Sequence, residues 1–297
     1  MSASIKLFES ERKRLFSLAY RMLGKVAEAE DVVQEAWIRF ATAKSEIKDG
    51  PAFLTTIVTR LSLDHLKSAR REREIYVGPW LPEPLVTAAG LMSEGDVEGL
   101  AGDITTAFLV ALERLTPLER AVFLLHDAFE MDFEEVARIL HRNSATCRKL
   151  ASRARANLKR EKPRFAVDPA LARALADRFI VAARQGNENS LLSMLDQNAV
   201  LMTDGGGKLQ AALRPITGRE AIAGFIAMLA RKAPAAGLAS FEPVSINQSP
   251  GFRVTGLSAR SETIAIEIGE RGLVTAIYYV RNPDKLAHVG AGPNLAS

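Results

Sequence analysis

The stretch H141RNSATCRKLASRARANLKR160 contains no acidic residue. From Arg142 to Arg164 there are nine bases and one acid, Glu161, on roughly 35 Å of chain if helical. At helical spacing Cys147, Leu150, Ala151, Ala154 and Leu158 fall on one apolar stripe, a face made for burial. Two polar rows remain: Arg142, Thr146, Lys149 and Arg153 in one, and Arg148, Ser152, Arg155 and Lys159 in the other. So cationic a rod repels itself unless something negative lies against it. Before it comes D132FEE135, with Asp as N-cap, followed by Phe133, Val136, Ala137 and Leu140 on one face. The turn His141-Arg142-Asn143 offers Asn143 as its left-handed residue. A short capped helix, a tight turn and a cationic second helix describe a helix-turn-helix whose second helix enters a DNA major groove. The alternatives are a solvated amphipathic helix or a basic helix on a membrane surface. The polar rows carry Ser, Thr and Asn but no aromatic anchor, which counts against the membrane.

The surroundings are those of an ordinary globular protein. A chain of 297 residues suits two or three domains, 47% apolar and 25% charged residues are typical, and a net charge of +4 means that polyanion binding must come from clustering. The single cysteine, Cys147, excludes an internal disulfide framework and a cysteine-built zinc site. No apolar run approaches a membrane span or a signal peptide, so a cytoplasmic location is expected.

Up to about residue 165 the apolar spacing is helical. Leu15, Leu18, Ala19 and Met22 form a first stripe ending at Gly24, and Val32, Val33, Ala36, Trp37 and Phe40 a second. A third opens at Pro51 and runs through Phe53, Leu54, Ile57, Val58 and Leu61. T116PLE119 reads as a capping box. Residues 76–106 are rich in Gly and Pro, with acids but no Lys or Arg, and read as a linker, although Trp80, Leu81 and Leu85 are too apolar for a purely solvated one. After Pro163, helices at about 169–185 and 188–196 and at GREAIAGFIAMLA accompany alternating runs such as TIAIEI and LVTAIYYV, an α+β pattern. The expected organisation is thus 1–75, a linker 76–106, 107–165 and 166–297. D204GGGK208 lies between AVLMT and LQAALRP and reads as a hairpin turn between two strands, with a phosphate cradle as the weaker alternative.

Three blocks, A27EAEDVVQEAWIRF40, G50PAFLTTIVTRLSLDHLKSARRERE74 and L115TPLERAVFLLHDAFEMDFEEVARIL140 with the helix after it, resemble regions 2.2, 2.3–2.4 and 4 of the extracytoplasmic-function (ECF) sigma factors of bacterial RNA polymerase, in matching order and spacing. YVGPWLPEP (76–84), DGGGK (204–208) and NPDKL (282–286) narrow the resemblance to the ECF41 or SigJ-like subgroup, where a SnoaL-like domain of NTF2-like cone fold follows region 4. The resemblance implies a multidomain chain: two all-α domains, a σ2 helical bundle and a σ4 helix-turn-helix, followed by an α+β NTF2-like domain.

It also implies partners and sites. Asp31, Gln34, Glu35 and Ile38 would dock on core RNA polymerase, at its β′ clamp, with region 4 on the β flap. Ile47, Lys48, Asp49 and Gly50, in the loop Ser45–Pro51, and Arg60, Asp64, Lys67, Arg70 and Arg71 would melt and hold the −10 promoter DNA. Phe53 and Arg60 depart from the Trp and Asn common in the family, so no −10 preference carries over. The alternative for Arg60 and Asp64, four residues apart, is a surface ion pair only. Arg142, Asn143, Ser144, Thr146, Arg148, Lys149, Ser152 and Arg153 would face the −35 element, their division between bases and phosphates undetermined. Trp80, Leu81, Pro82, Asp204, Gly205, Gly206, Gly207, Lys208, Asn282, Pro283, Asp284 and Lys285 would form a regulatory interdomain contact with Asp204 and Lys208 as its polar clasp.

No cofactor, metal site or catalytic residue is expected, since the four histidines have no ligand spacing and His288 lies near the end. A small ligand in the cone cavity is a further candidate partner. The rival readings are a free-standing helix-turn-helix regulator, which has no need of the AEDVVQEAW block, and an enzyme with a helical accessory module.

Overall fold

The computed structural model describes residues 3–43, 47–88, 104–158, 167–232, 239–258 and 260–289, without the side chains of 69–74. These fall into two compact units. The first comprises residues up to 75, Ile104 and 108–158; the second comprises 76–88, 105–107 and the residues from 167 onward.

The first unit is helical. Helix α1 (Ala3–Leu23) stops where Gly24 turns left-handed, at φ +69°. Helix α2 (Val26–Ala41) buries Val32, Val33, Ala36 and Phe40. Asp49 caps helix α3 (Gly50–Glu74) by accepting the Ala52 N–H at 3.0 Å, with Pro51 in the first turn. The stripes expected from sequence meet: Leu15, Leu18, Ala19, Met22, Leu54 and Val58 are fully buried. Each such leucine contributes about 2 kcal/mol relative to exposure.

Helices α4 (Thr106–Leu112) and α5 (Pro117–Phe123) lead through a π-helical turn (Leu124–Ala128) to α6 (Phe133–Leu140) and α7 (Ser144–Leu158). Thr116 and Glu119 form both halves of the capping box, and Asp132 caps α6 through the Glu135 N–H at 2.7 Å. The turn differs from expectation. His141, not Asn143, is left-handed, at φ 51°. Asn143 instead caps α7, its Oδ1 accepting the Thr146 N–H at 2.7 Å. An Asn immediately before a helix gains more from capping than from a left-handed turn.

The second unit is α+β. Helices α8 (Pro169–Gln185), α9 (Glu188–Met194) and α10 (Arg219–Lys232) accompany a seven-stranded sheet. Its strands are β1 (Val86–Ala88), β2 (Leu195–Asp204), β3 (Ile216–Thr217), β4 (Ser240–Ile246), β5 (Ser249–Thr255), β6 (Glu262–Ile268) and β7 (Val274–Val280), in the order β1-β4-β5-β6-β7-β2-β3. Only β2 and β7 run parallel. Phe179, Ile180, Leu191, Leu201, Ile222, Phe252, Ile266 and Ile277 form the core between the helices and one sheet face. Alternation sends Asp204, Ala265 and Glu267 to the other face.

Two expectations need correction. Residues 209–215 form no strand; β2 leads into turns, and only Ile216–Thr217 returns to pair with Val200 and Leu201. Here Thr203 Oγ1 takes the Ala212 N–H at 2.7 Å, so a side chain replaces the ladder. Residues 76–88 are likewise not a bare linker: Leu81, Pro82 and Pro84 are buried and β1 extends the sheet beside β4. Among the described residues no helix is long and apolar enough to cross a membrane.

Candidate nucleic-acid interface and linker clasp

The recognition helix α7 buries Cys147, Ala151 and Ala154 against its unit, as the stripe requires. Burial pushes the Cys147 thiol up from its ordinary value, which suits packing and not redox chemistry. The exposed face carries Arg142, Asn143, Arg148, Lys149, Ser152 and Arg153, with Ser144 and Thr146 half-buried. The protein's own acids engage one flank of the rod only. Arg148 donates to Glu134 Oε1 at 3.1 Å and Arg155 to Asp127 Oδ1 at 2.6 Å. Among the described residues no carboxylate reaches Arg142, Lys149 or Arg153. Lys159 and the basic tail after it lie outside the described residues.

On α2, Asp31, Gln34 and Ile38 are exposed and Glu35 is held by Arg39 at 2.7 Å. Spacings of three and four place them on one face, acidic with Ile38 exposed at its edge. Trp37 packs on Phe8, ring centres 4.9 Å apart, and on Phe40 at 6.3 Å.

Among the −10 candidates, Arg60, Asp64 and Lys67 are exposed on α3 at spacings of four and three. Lys48 and Asp49 are exposed, Ile47 is half-buried and Gly50 is buried, where an added Cβ would meet Leu7 Cδ2 at 2.3 Å. Arg60 and Asp64 do not pair. Arg60 Nε donates to the Ile139 carbonyl at 3.1 Å, at the end of α6, while Asp64 takes Lys67 at 2.8 Å. The side chains of Arg70 and Arg71 lie outside the description. Helices α3 and α6 thus meet inside one unit. A second bridge joins its parts: Arg120 donates to Met22 O at 2.6 Å and Leu112 O at 3.1 Å and pairs with Glu113 at 2.9 Å.

In the second unit the three remote motifs converge. The Asp204 carboxylate is fully buried. It accepts hydrogen bonds from Tyr76 Oη (2.6 Å), Leu81 N (2.9 Å), Lys285 Nζ (2.7 Å) and Gly206 N (3.0 Å). Lys285 also donates to Leu81 O at 2.5 Å, and its ammonium stands 4.7 Å from the Tyr76 ring centre and 4.1 Å from Trp80. Asn282 donates to Tyr76 Oη at 2.8 Å. Burial first, and then the Asp204 carboxylate, push the Tyr76 phenol well above its ordinary range, so it remains a donor.

The two expected clasp residues make separate contacts: Asp204 takes Lys285 and the segment at Tyr76 and Leu81, whereas Lys208 pairs with Asp284 of NPDKL on the surface at 2.7 Å. The turn explains this. Gly206 is left-handed, at φ +59°, and a Cβ there would lie 2.3 Å from Asn282 Nδ2, so the glycines bring backbone against NPDKL. Pro283 is half-buried beside it.

Further fastenings carried no sequence signal. Asn247 exchanges bonds with Leu85 at 2.9 Å and donates to Thr106 Oγ1 at 3.1 Å. His288, far from hanging free, holds the Pro84 carbonyl at 2.8 Å through Nε2. Glu267 accepts the Ala107 N–H at 3.3 Å. Two surface clefts, of about 350 Å³ beside Val77, Thr203 and Leu213 and about 390 Å³ beside Arg178, Val181 and Met194, lie outside the side-chain-filled core.

Residues 7–72 match the family Sigma-70 region 2, and residues 105–158 match Sigma-70, region 4. The chain is 36% identical over 285 residues to the ECF RNA polymerase sigma factor SigJ of Mycobacterium tuberculosis, covering 94% of this chain and 91% of that protein. It belongs to the ECF RNA polymerase sigma factors. The crystal structure of M. tuberculosis SigJ superposes with a TM-score of 0.77 at 34% identity, covering 95% of this chain and 98% of that one. A probable ECF sigma factor of the same organism, SigI, is 36% identical over 64% of this chain and 66% of its own length. As an ECF sigma factor the protein acts in transcription initiation through its region 2 and region 4 domains, and its second unit is α+β, with helices on one face of a sheet.

Proposed function

We propose that this sigma factor directs core RNA polymerase to promoters with −10 and −35 elements and is regulated in cis by its C-terminal unit, which holds the segment joining regions 2 and 4. The observation that carries the reading is the buried Asp204 carboxylate, two of whose four donors, Tyr76 and Leu81, belong to that segment. The exposed α2 face of Asp31, Gln34, Glu35 and Ile38 is the polymerase-docking surface, and α7 with Lys48 and the outer side of α3 forms the promoter surface.

Distance gives the clasp its consequence. Elements about 25 base pairs apart at 3.4 Å per pair are separated by roughly 85 Å along B-DNA. A compact chain of this first unit's size has a radius of gyration of only about 14 Å. Regions 2 and 4 must therefore part, breaking the Arg60–Ile139 and Arg120–Met22 bonds. The chain between them, residues 75–105, reaches about 105 Å when extended, and holding 76–88 in the second unit fixes the span of a part that would reach about 45 Å if free. The clasp thus sets how far region 4 can travel from region 2. Transcription in vitro by core polymerase with the full chain, and with a chain lacking 168–297, tests this. Changed promoter selectivity or output supports the reading, and identical selectivity and output in both refutes it.

A further inference from the structure

The recognition helix presents two chemically different kinds of base. Arg142, Lys149 and Arg153 are exposed and have no carboxylate in reach among the described residues, Arg142 donating to the His141 carbonyl at 3.0 Å, so they keep their full charge for a polyanion. Arg148 is held. Its Nη2 donates to Glu134 Oε1 at 3.1 Å, and its guanidinium stands 5.5 Å from the centre of the Phe133 ring. Phe133 also stacks on His126, ring centres 3.8 Å apart and 28° between planes, and His126 is tied through Nδ1 to Met131 O at 2.7 Å. A row of His126, Phe133 and Arg148 with Glu134 at its end thus aims one guanidinium from the second turn of α7, the half of a recognition helix that meets base edges.

Two consequences follow from this chemistry. A guanidinium with one N–H engaged and its plane set keeps several donors in a fixed fork, the geometry that matches O6 and N7 of guanine. A guanidinium beside a carboxylate is also partly neutralised, so it gains less from phosphates than a free base does. Both distinguish Arg148 from Lys149 and Arg153.

We infer that Arg148 is the base-reading arginine of this helix, specific for a guanine in the duplex that region 4 meets, and that Glu134 and Phe133 are its positioning residues. Arg142, Lys149 and Arg153 then hold phosphates. The inference rests on the promoter-binding reading above.

The test uses the full chain with core RNA polymerase and a pool of duplex promoters randomised over the −35 element. Wild type selects a sequence with one guanine whose replacement weakens binding roughly ten- to hundredfold. Arg148→Lys keeps the charge but lacks the fork, so it loses that one preference and retains the others. Glu134→Gln, at an exposed position, leaves thermal stability unchanged, relaxes the same preference and binds the unselected pool as tightly or more tightly. Lys149→Ala and Arg153→Ala weaken all duplexes alike, each lowering the salt slope by about one. The inference is overturned if Glu134→Gln and Arg148→Lys keep every base preference, or if Arg148→Ala weakens all duplexes equally with the same slope change as Lys149→Ala. Should wild-type holoenzyme select no sequence at all, the promoter-binding reading itself fails.

Discussion

Asp204→Asn is the substitution whose consequences the structure defines most closely. The carboxylate accepts four hydrogen bonds, one from an ammonium that is 6% exposed, so the variant leaves Lys285 charged and buried without its counter-charge. Breaking one side of a buried ion pair costs about 3–5 kcal/mol. The amide also turns an –NH2 toward at least one of the remaining donors. Lys285→Met is milder, because Asp204 loses its cation but keeps Tyr76, Leu81 and Gly206 as donors, and the Leu81 carbonyl loses the Lys285 bond. We expect about 1–3 kcal/mol for it. The double variant should fall short of the sum by about 1–3 kcal/mol, since the second change removes the orphaned ammonium. Trp80 lies over Lys285 and Trp37 is the only other tryptophan, so fluorescence in a Trp37→Phe background reports on the clasped segment alone. Urea titrations of the four proteins give the cycle. If Asp204→Asn shifts the Trp80 transition by less than the equivalent of about 1 kcal/mol, or if Lys285→Met costs as much, the clasp does not hold the segment as described.

Further expectations concern both units. Tyr76 and Tyr279 have phenols raised by burial and then by Asp204 and Glu262 respectively, so the unfolded chain ionises first; stability of the second unit falls as pH rises past 10, and Tyr76→Phe flattens the fall in denaturant titrations at pH 9–11. Gly206→Ala places a Cβ against Asn282 in a left-handed turn and should lower the thermal midpoint of the second unit, with Gly272→Ala, which meets nothing within 4 Å, as the control for backbone strain alone. Thr116→Ala removes the capping box before α5 and should cost the first unit about 1 kcal/mol by chemical denaturation. Arg120→Met takes the guanidinium from Glu113 and from the Met22 and Leu112 carbonyls, of which Leu112 keeps the Leu115 N–H, a loss of about 3–5 kcal/mol visible as earlier unfolding of the first unit and faster proteolysis.

What sequence could reveal here depended on range. Helix stripes and caps are local: Leu15 to Met22, Thr116 with Glu119 and Asp132 with Glu135 are each written within a few residues, and the structure repeats them. The meeting of Leu81, Asp204 and Lys285 was approachable only through resemblance, because their separations of 123 and 81 residues leave no periodic trace. Which lysine meets Asp204 is not written locally either: the strand-to-turn geometry brings Lys285 inward and sends Lys208 to the surface, onto Asp284. The same range limit hides the Arg60 contact to the Ile139 carbonyl. A residue four positions away was on the page, and a carbonyl 79 positions away was not. Residues 209–215 look apolar enough for a strand, but Thr203 satisfies Ala212 by side chain and leaves no ladder to extend.

The most direct test of the cis-regulatory claim is the spacer preference of the holoenzyme, measured by transcription from one promoter with the −35 to −10 distance varied base pair by base pair. A clasped tether predicts a narrow optimum for wild type and a broader or longer one for Asp204→Asn and for the chain without 168–297. Identical spacer profiles for all three would contradict it.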